Sequence, residues 1–340
     1  MLTTPFSQSD KTLLLQHGPS ALLQLAQRRG GRLHKLLSGT GIFEQDLTHP
    51  HARCPHKDWL TLIGRCQQLQ SPELPFLLAN SMLHNPHCAL SQSLSVAQHL
   101  QQSLQQLRYF KHHLFPGLFA QVHQFEHTVM IVLKPSVDLG QQHAFMLNLA
   151  MSFIINLIRH QLGCTKTLRV LLKQDSPAHP QHFTTQWQCH IQFSEDFDAL
   201  CIPLALWQRP FKGYQPERFK QHRLACFQLN KQLPAQPGLL ELLQRHIAKT
   251  LPAALSLEQA ANLLQLSSSS LKRLLQQHNT HFAALVDDVR RDKACLLLLQ
   301  GELSNRQLAQ QLGYSDEHNF RRAFKRWTGM LPSSVKVLSY

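Results

Sequence analysis

From residue 239 to residue 340, apolar side chains recur at spacings of three and four with polar residues between them, which predicts about seven short helices. Gly301 and Gly313 mark stops in that series, and Pro332 follows the last strong helix. On a helix of 3.6 residues per turn, Asp316 to Trp327 sets Phe320, Ala323, Phe324 and Trp327 on one stripe and His318, Arg321, Arg322 and Lys325 on the other. Upstream the pattern is mixed. Leu13 to Gly31, Trp59 to Leu69 and Ser95 to Phe115 have helical spacing. HTVMIVLK (127–134) and LRVLLK (168–173) read as short strands, with weaker strand patterns at Gln188 to Phe193 and Ala199 to Leu204. They flank an apolar helix at 144–162. Its most apolar run, AFMLNLAMSFIINLI, is shorter than the roughly 20 residues that span a bilayer. The chain is thus expected to hold an α+β domain at 1–230, a linker at 231–238 where QLPAQPG opposes regular structure, and an all-α domain at 239–340.

The all-α part contains a repeat. Leu255, Ser256, Gln259, Ala261, Leu264 and Ser267 recur 48 residues later as Leu303, Ser304, Gln307, Ala309, Leu312 and Ser315. After one inserted residue, Leu271, Lys272, Arg273 and Leu275 recur at an offset of 49 as Phe320, Arg321, Arg322 and Phe324. Each copy reads as a short helix with a buried alanine, a turn ending in a Ser or Asp N-cap, and a second amphipathic helix. That is the outline of a helix-turn-helix. A single basic helix face is usually only solvated, but two copies after the same turn favour a purpose. A helix in the DNA major groove needs base-reaching side chains near its N-terminal half. Ser269, Lys272 and Arg273 hold such positions in the first copy, and Glu317, His318, Arg321 and Arg322 in the second. Gln276, Arg290, Arg291, Lys325 and Arg326 are expected at phosphates, which position without specifying. FAALVDDVRRDKACLLLLQ (282–300) reads as a helix that holds the two copies rigidly apart, addressing grooves about one turn, roughly 10 bp, apart.

Composition changes this picture in only two ways. A formal charge of +14 favours an anionic partner, but it divides as +9 before residue 239 and +5 after, so bulk charge does not locate the interface. The eight cysteines are scattered with no C-x-x-C pair, and MLTTPFSQSDKTLLLQ lacks the features of a secretory signal, so reduced thiols and a cytoplasmic location are expected, with no membrane partner.

The segment LAxxLGYSDxxNFxRAFKRWTGxxP, within about one hundred residues of matching pattern, resembles the double helix-turn-helix domain of the AraC/XylS family of bacterial transcription regulators. The resemblance implies sequence-specific binding of double-stranded DNA, action on RNA polymerase, most often as an activator, and no enzymatic activity. Val335 and Lys336 depart from the aromatic and arginine common after the final proline of the family. LLSGTGIFEQDLTHPHARCPHKDWLTLI and HFTTQWQCHIQFSEDFDALCIPLALWQRPF resemble the sensor domain that one subgroup places before its reader, with Ser194 where relatives commonly have glycine. Such domains are labelled arabinose-binding, yet the family's effectors include amino acids and apolar acids, so the label is not a sugar prediction. A homodimer is expected, because linked binding to adjacent sites gains affinity.

Other constellations are weaker. Asn148, Ser152 and Asn156 stand at i, i+4 and i+8 of the apolar helix with Arg159 a turn further. They read either as a polar edge or as groups that orient an effector, Arg159 meeting an anionic head. His49, His51, Cys54 and His56, with His84, His87 and Cys88, offer metal-ligand chemistry, but 22 histidines make chance clusters common, and neither metal nor cofactor is expected. Two rivals remain. An architectural DNA binder would share the basic faces. An alkyl-repair methyltransferase with the same reader would need a reactive P-C-H-R cysteine and a four-cysteine zinc site, whereas Cys54 sits in R-C-P-H.

Overall fold

The computed structural model describes residues 5–177, 180–233, 236–301 and 303–335. Phe6–Ala235 forms one compact unit, and the residues from Gln236 onward form another. Pro234 and Ala235 of the predicted linker, and Lys336 near the C-terminus, lie outside the described residues.

The first unit is a mixed α/β domain. Strand β1 (Lys11–Leu14) pairs antiparallel with β2 (Arg53–Pro55). The main sheet contains β3 (Leu118–Gln124), β4 (Thr128–Pro135), β5 (Arg169–Leu171), β6 (His190–Gln192) and β7 (Ala199–Pro203), in the order β3-β4-β7-β5-β6. Its pairs are antiparallel except β5 with β6. Helices α1 (Pro19–Gln27), α2 (Leu33–Leu37), α3 (His56–Gln67), α4 (Leu74–Leu83), α5 (Ala89–Ser95) and α6 (Leu100–Tyr109) precede that sheet. Helix α7 (His143–Leu162) connects β4 to β5, α8 (Gln181–Trp187) connects β5 to β6, and α9 (Leu204–Trp207) and α10 (Pro216–Asn230) close the unit.

Helix α7 is the core of this unit. It packs broadly on α4, and Met146, Leu149, Phe153, Ile155 and Ile158 are buried. A helix apolar around most of its circumference belongs inside a domain. Among the described residues no helix is long and apolar enough to cross a membrane. The helical spacing of Leu13 to Gly31 resolves differently from the expectation: Leu13 and Leu14 pair with Cys54 and Arg53, and the helix begins only at Pro19. Proline at the first helical position supplies the start, while the leucines before it are buried through a strand instead. Ser95 to Phe115 likewise begins its helix at Leu100, capped by His99, whose Nδ1 accepts from the Gln102 amide at 3.1 Å.

The second unit is all-helical: α11 (Leu239–Thr250), α12 (Leu257–Leu263), α13 (Ser268–Gln277), α14 (Phe282–Gln300), α15 (Asn305–Gln311) and α16 (Glu317–Thr328), with a short 3-10 turn at Pro332–Ser334. Leu240, Leu243 and Ile247 of α11 join Ala261, Leu271 and Leu275 in the first core of this unit.

Candidate DNA interface

The two repeats fold alike because the same local signals start and stop their helices. Ser256 and Ser304 each form a reciprocal cap with the residue three positions on. The Gln259 amide donates to Ser256 Oγ at 3.1 Å, and the Ser256 amide donates to Gln259 Oε1 at 2.9 Å. In the second copy the Ser304 amide donates to Gln307 Oε1 at 2.9 Å and the Gln307 amide to Ser304 Oγ at 3.4 Å. Each bond satisfies an amide that the first helical turn leaves without a helical partner. Ala261 and Ala309 are both 1% exposed, small enough for the second helix of each motif to close over them.

The turns then place a left-handed residue at matching positions, Gln265 (φ 57°) and Gly313 (φ 77°). Gly313 is needed for a second reason: a Cβ there would run into the Pro252 carbonyl oxygen. Ser267 caps α13, its Oγ accepting from the Ser270 amide at 3.1 Å, and Asp316 caps α16, its Oδ1 accepting from the Asn319 amide at 2.7 Å. That bond, first among several, holds the Asp316 carboxyl below its ordinary pKa. Asn319 Nδ2 also donates to Asp316 Oδ2 at 2.8 Å, tightening the entry to the second helix.

With their starts set in this way, α13 and α16 bury one stripe and expose another. Leu271 and Leu275 are buried under α13, while Ser269, Lys272, Arg273 and Gln276 are exposed. Phe320, Ala323 and Phe324 are buried under α16, while His318, Arg322, Lys325 and Arg326 are exposed and Glu317 and Arg321 are half-buried. Tyr314 braces this second core, its ring 6.2 Å from those of both Phe320 and Trp327.

The structure divides the expected phosphate contacts into two kinds. Gln276 and Lys325 are exposed on the helix faces just described. Arg291 instead ties α14 to itself, with Nη1 3.0 Å from Asp288 Oδ1 and Nη2 2.9 Å from the buried Asp292 Oδ1. Burial works against its charge, and Asp292 and Asp288 outweigh that effect and raise its pKa. Arg290 lies over the Tyr314 ring at 5.0 Å, and Arg326 donates to Asp287 Oδ2 at 2.9 Å. Arg291 is thus an intramolecular brace, while Arg290 and Arg326 join the second motif to α14 and Arg326 stays exposed. The sequence pattern missed Asp287 and Tyr314 as their partners, because neither lies in the repeat.

Three of the four expected effector residues are hydrogen-bonded within the α/β unit. Ser152 Oγ is buried and accepts from Trp187 Nε1 at 2.8 Å. Asn156 Oδ1 accepts from Arg159 Nη1 at 3.0 Å, and Arg159 Nη2 donates to the Gln186 and Trp187 carbonyls at 2.6 and 3.0 Å. These groups fasten α8 onto α7, the guanidinium occupying carbonyls at the C-terminal end of α8. Asn148, the remaining one of the four, lines an open cleft. Among the histidine-rich segments, His49 and His51 are exposed whereas Cys54, His56 and Cys88 are buried. No group of three or more metal-ligating side chains is assembled among the described residues.

A capped helix pair repeated about one long helix, each pair exposing a basic stripe, defines a double helix-turn-helix DNA-binding protein. Residues 30–211 match the family model described as the arabinose-binding domain of AraC transcription regulator, and residues 260–336 match a helix-turn-helix domain model. The chain belongs to the AraC family of transcription regulators. It is 26% identical over 321 residues to the ornithine utilization regulator of Pseudomonas aeruginosa, covering 93% of this chain and 94% of that one. With the transcriptional regulator VirS of Mycobacterium tuberculosis it shares 30% identity over 151 residues, 44% of each chain. The crystal structure of transcriptional regulator CdpR from Pseudomonas aeruginosa covers 78% of this chain and 86% of its own, at 18% identity and a TM-score of 0.38. These relatives are named as regulators, VirS and CdpR as transcriptional ones.

Proposed function

We propose that this protein is an effector-responsive activator whose helices α13 and α16 read two successive major grooves. The carrying observation is that both helices, capped at the same place and anchored on the same buried stripe, carry equivalent basic pairs at Lys272–Arg273 and Arg321–Arg322, of which Lys272, Arg273 and Arg322 are exposed and Arg321 is half-buried. Ser269, Lys272 and Arg273 would meet base edges in one box, and Glu317, His318, Arg321 and Arg322 in the other. Gln276 and Lys325 would neutralise phosphates. A small-molecule effector in the α/β unit changes the population of chains competent to bind or to recruit RNA polymerase, and a homodimer on adjacent sites adds affinity through linkage. Full-length similarity to a regulator named for ornithine utilization supports a ligand-linked role over an architectural one.

The test is selection from a randomised duplex pool at fixed salt with the full chain, followed by transcription from a promoter bearing the selected sequence. Two short boxes one helical turn apart, with RNA output above the protein-free level, are the expected outcome. Binding without sequence preference would overturn the reader, and a sequence preference with lowered output would overturn activation alone.

A further inference from the structure

The α/β unit carries a cleft of about 470 Å³, within the ~300–1,000 Å³ typical of small-molecule sites. It opens between the end of α3, the start of α4, the first turns of α7 and α8. Three buried phenyl rings, Phe76, Phe145 and Phe183, come from three different helices to line it. Phe76 and Phe183 stand edge-on at 5.4 Å, and each also packs edge-on against Trp187, at 5.6 and 5.1 Å. The lining thus belongs to a fixed aromatic cluster. Trp187 is itself held by its bond to Ser152, so the two residues that do not face a ligand serve to set the wall that does.

The polar part of the lining is chemically narrow. Gln67, Gln70 and Asn148 offer carboxamides and Ser71 a hydroxyl. Gln70 follows the end of α3 in a left-handed conformation (φ 52°), its amide donating to the Gln67 carbonyl at 3.0 Å. Among the described residues no Lys, Arg, Asp or Glu lines the cleft, and His182 is the one ionisable side chain in that lining. Nearby, Arg29 and Glu73 are spent on each other, Nε to Oε1 at 2.8 Å. An ammonium head entering this cleft would lose its water without gaining an opposite charge, and a carboxylate would find only the His182 imidazole, a cost that carboxamides offset poorly. An amide or hydroxyl head loses far less and matches those groups bond for bond.

We infer that this cleft is the effector site and that it takes an uncharged aromatic molecule bearing an amide or hydroxyl group. This rests on the reading of the protein as effector-responsive. The ring packs edge-to-face on Phe76 and Phe183, and the head group bonds Asn148 and the glutamines at the rim.

The experiment titrates the full-length protein with phenylacetamide and with phenylacetate at pH 8 by calorimetry, two probes that share a ring and differ in charge. Phenylacetamide is expected to bind at least tenfold more tightly. Ala144→Trp, at an exposed position on the cleft wall, should fill it and weaken that binding at least tenfold, and Asn148→Ala should weaken it severalfold. Equal or tighter binding of phenylacetate, binding of neither probe, or amide binding indifferent to Ala144→Trp would each overturn the inference. DNA affinity and transcription are measured in parallel with and without probe. Amide binding that leaves both unchanged would sink effector control while leaving the cleft assigned. A silent cleft beside intact sequence-specific DNA binding would sink only the cleft.

Discussion

Arg322 and Lys325 lie three residues apart on one exposed face of α16, yet they are expected to do different work. Arg322→Ala should relax base preference at one position of the second box and cost roughly 1–3 kcal/mol on the selected site; Lys325→Ala should weaken binding to every sequence and lower the salt slope by about one. Titration on selected and random duplexes at several salt concentrations separates them, and equal losses on both DNAs for both variants would contradict the assignment. Arg291 is the control. Its carboxylate partners make it a brace, so Arg291→Ala should lower thermal stability by roughly 1–3 kcal/mol through loss of its contacts to Asp288 and Asp292, with no change in salt slope. Buried histidines supply a further residue-scale effect in the α/β unit. Burial pushes His56 down to about 4 and, with the nearby His17 and His112 adding to burial, His113 down to about 3. Both are neutral when folded at pH 5, whereas the unfolded chain binds protons below about 6.5. Stability is therefore retained above that value and falls as pH drops from 6.5 towards 4, by about 2–3 kcal/mol for His56 alone. Denaturant melts across this range should show that slope, and His56→Leu should remove the His56 share of it and leave that of His113.

At the scale of elements, the duplicated caps make a matched pair of tests. Ser256→Ala and Ser304→Ala remove the same acceptor from the same turn of two helices, so each should cost about 1 kcal/mol in a denaturant melt. A loss confined to one of them would show that the copies are not energetically equivalent. Gly313→Ala should cost roughly 1–3 kcal/mol, combining a left-handed backbone with the Pro252 carbonyl in the way of the new methyl. These elements were also the most readable. Periodicity, Ser and Asp caps and glycine stops are local signals, and they placed the last helix at Asp316 to Trp327 and the long one at 282–300, against Glu317–Thr328 and Phe282–Gln300 in the structure. The α/β unit yielded less. HTVMIVLK is recognisable as β4 because it is β-branched, but β3 (LFAQVHQ) alternates too weakly to stand out, and LPFLLANSML, which becomes α4, is apolar on every face and lacks a period.

At the scale of the molecule, two readers fixed on α14 imply a rigid spacing. Inserting five base pairs between the selected boxes should turn one box to the far side of the duplex and reduce affinity to that of a single motif; inserting a full turn should not restore it, because Arg290 on Tyr314 and Arg326 on Asp287 hold the second motif against α14. Gel-shift titrations on the three spacings measure this directly. Reading the repeat was enough to reach a helix-turn-helix pair and its basic faces, because both depend on residues within one or two turns of each other. Which partners the basic residues meet depends on side chains brought from elsewhere: nothing in the local pattern separates Arg290, Arg291 and Arg326 from Lys325, and Asp287, Asp288, Asp292 and Tyr314 do. The same holds for the cleft. Asn148, Ser152, Asn156 and Arg159 share a helical spacing, but α8 consumes the last three, and rings from α4, α7 and α8 make a cavity that no local pattern contains. Spacing along a chain specifies which side chains share a face; only long-range packing decides what that face meets.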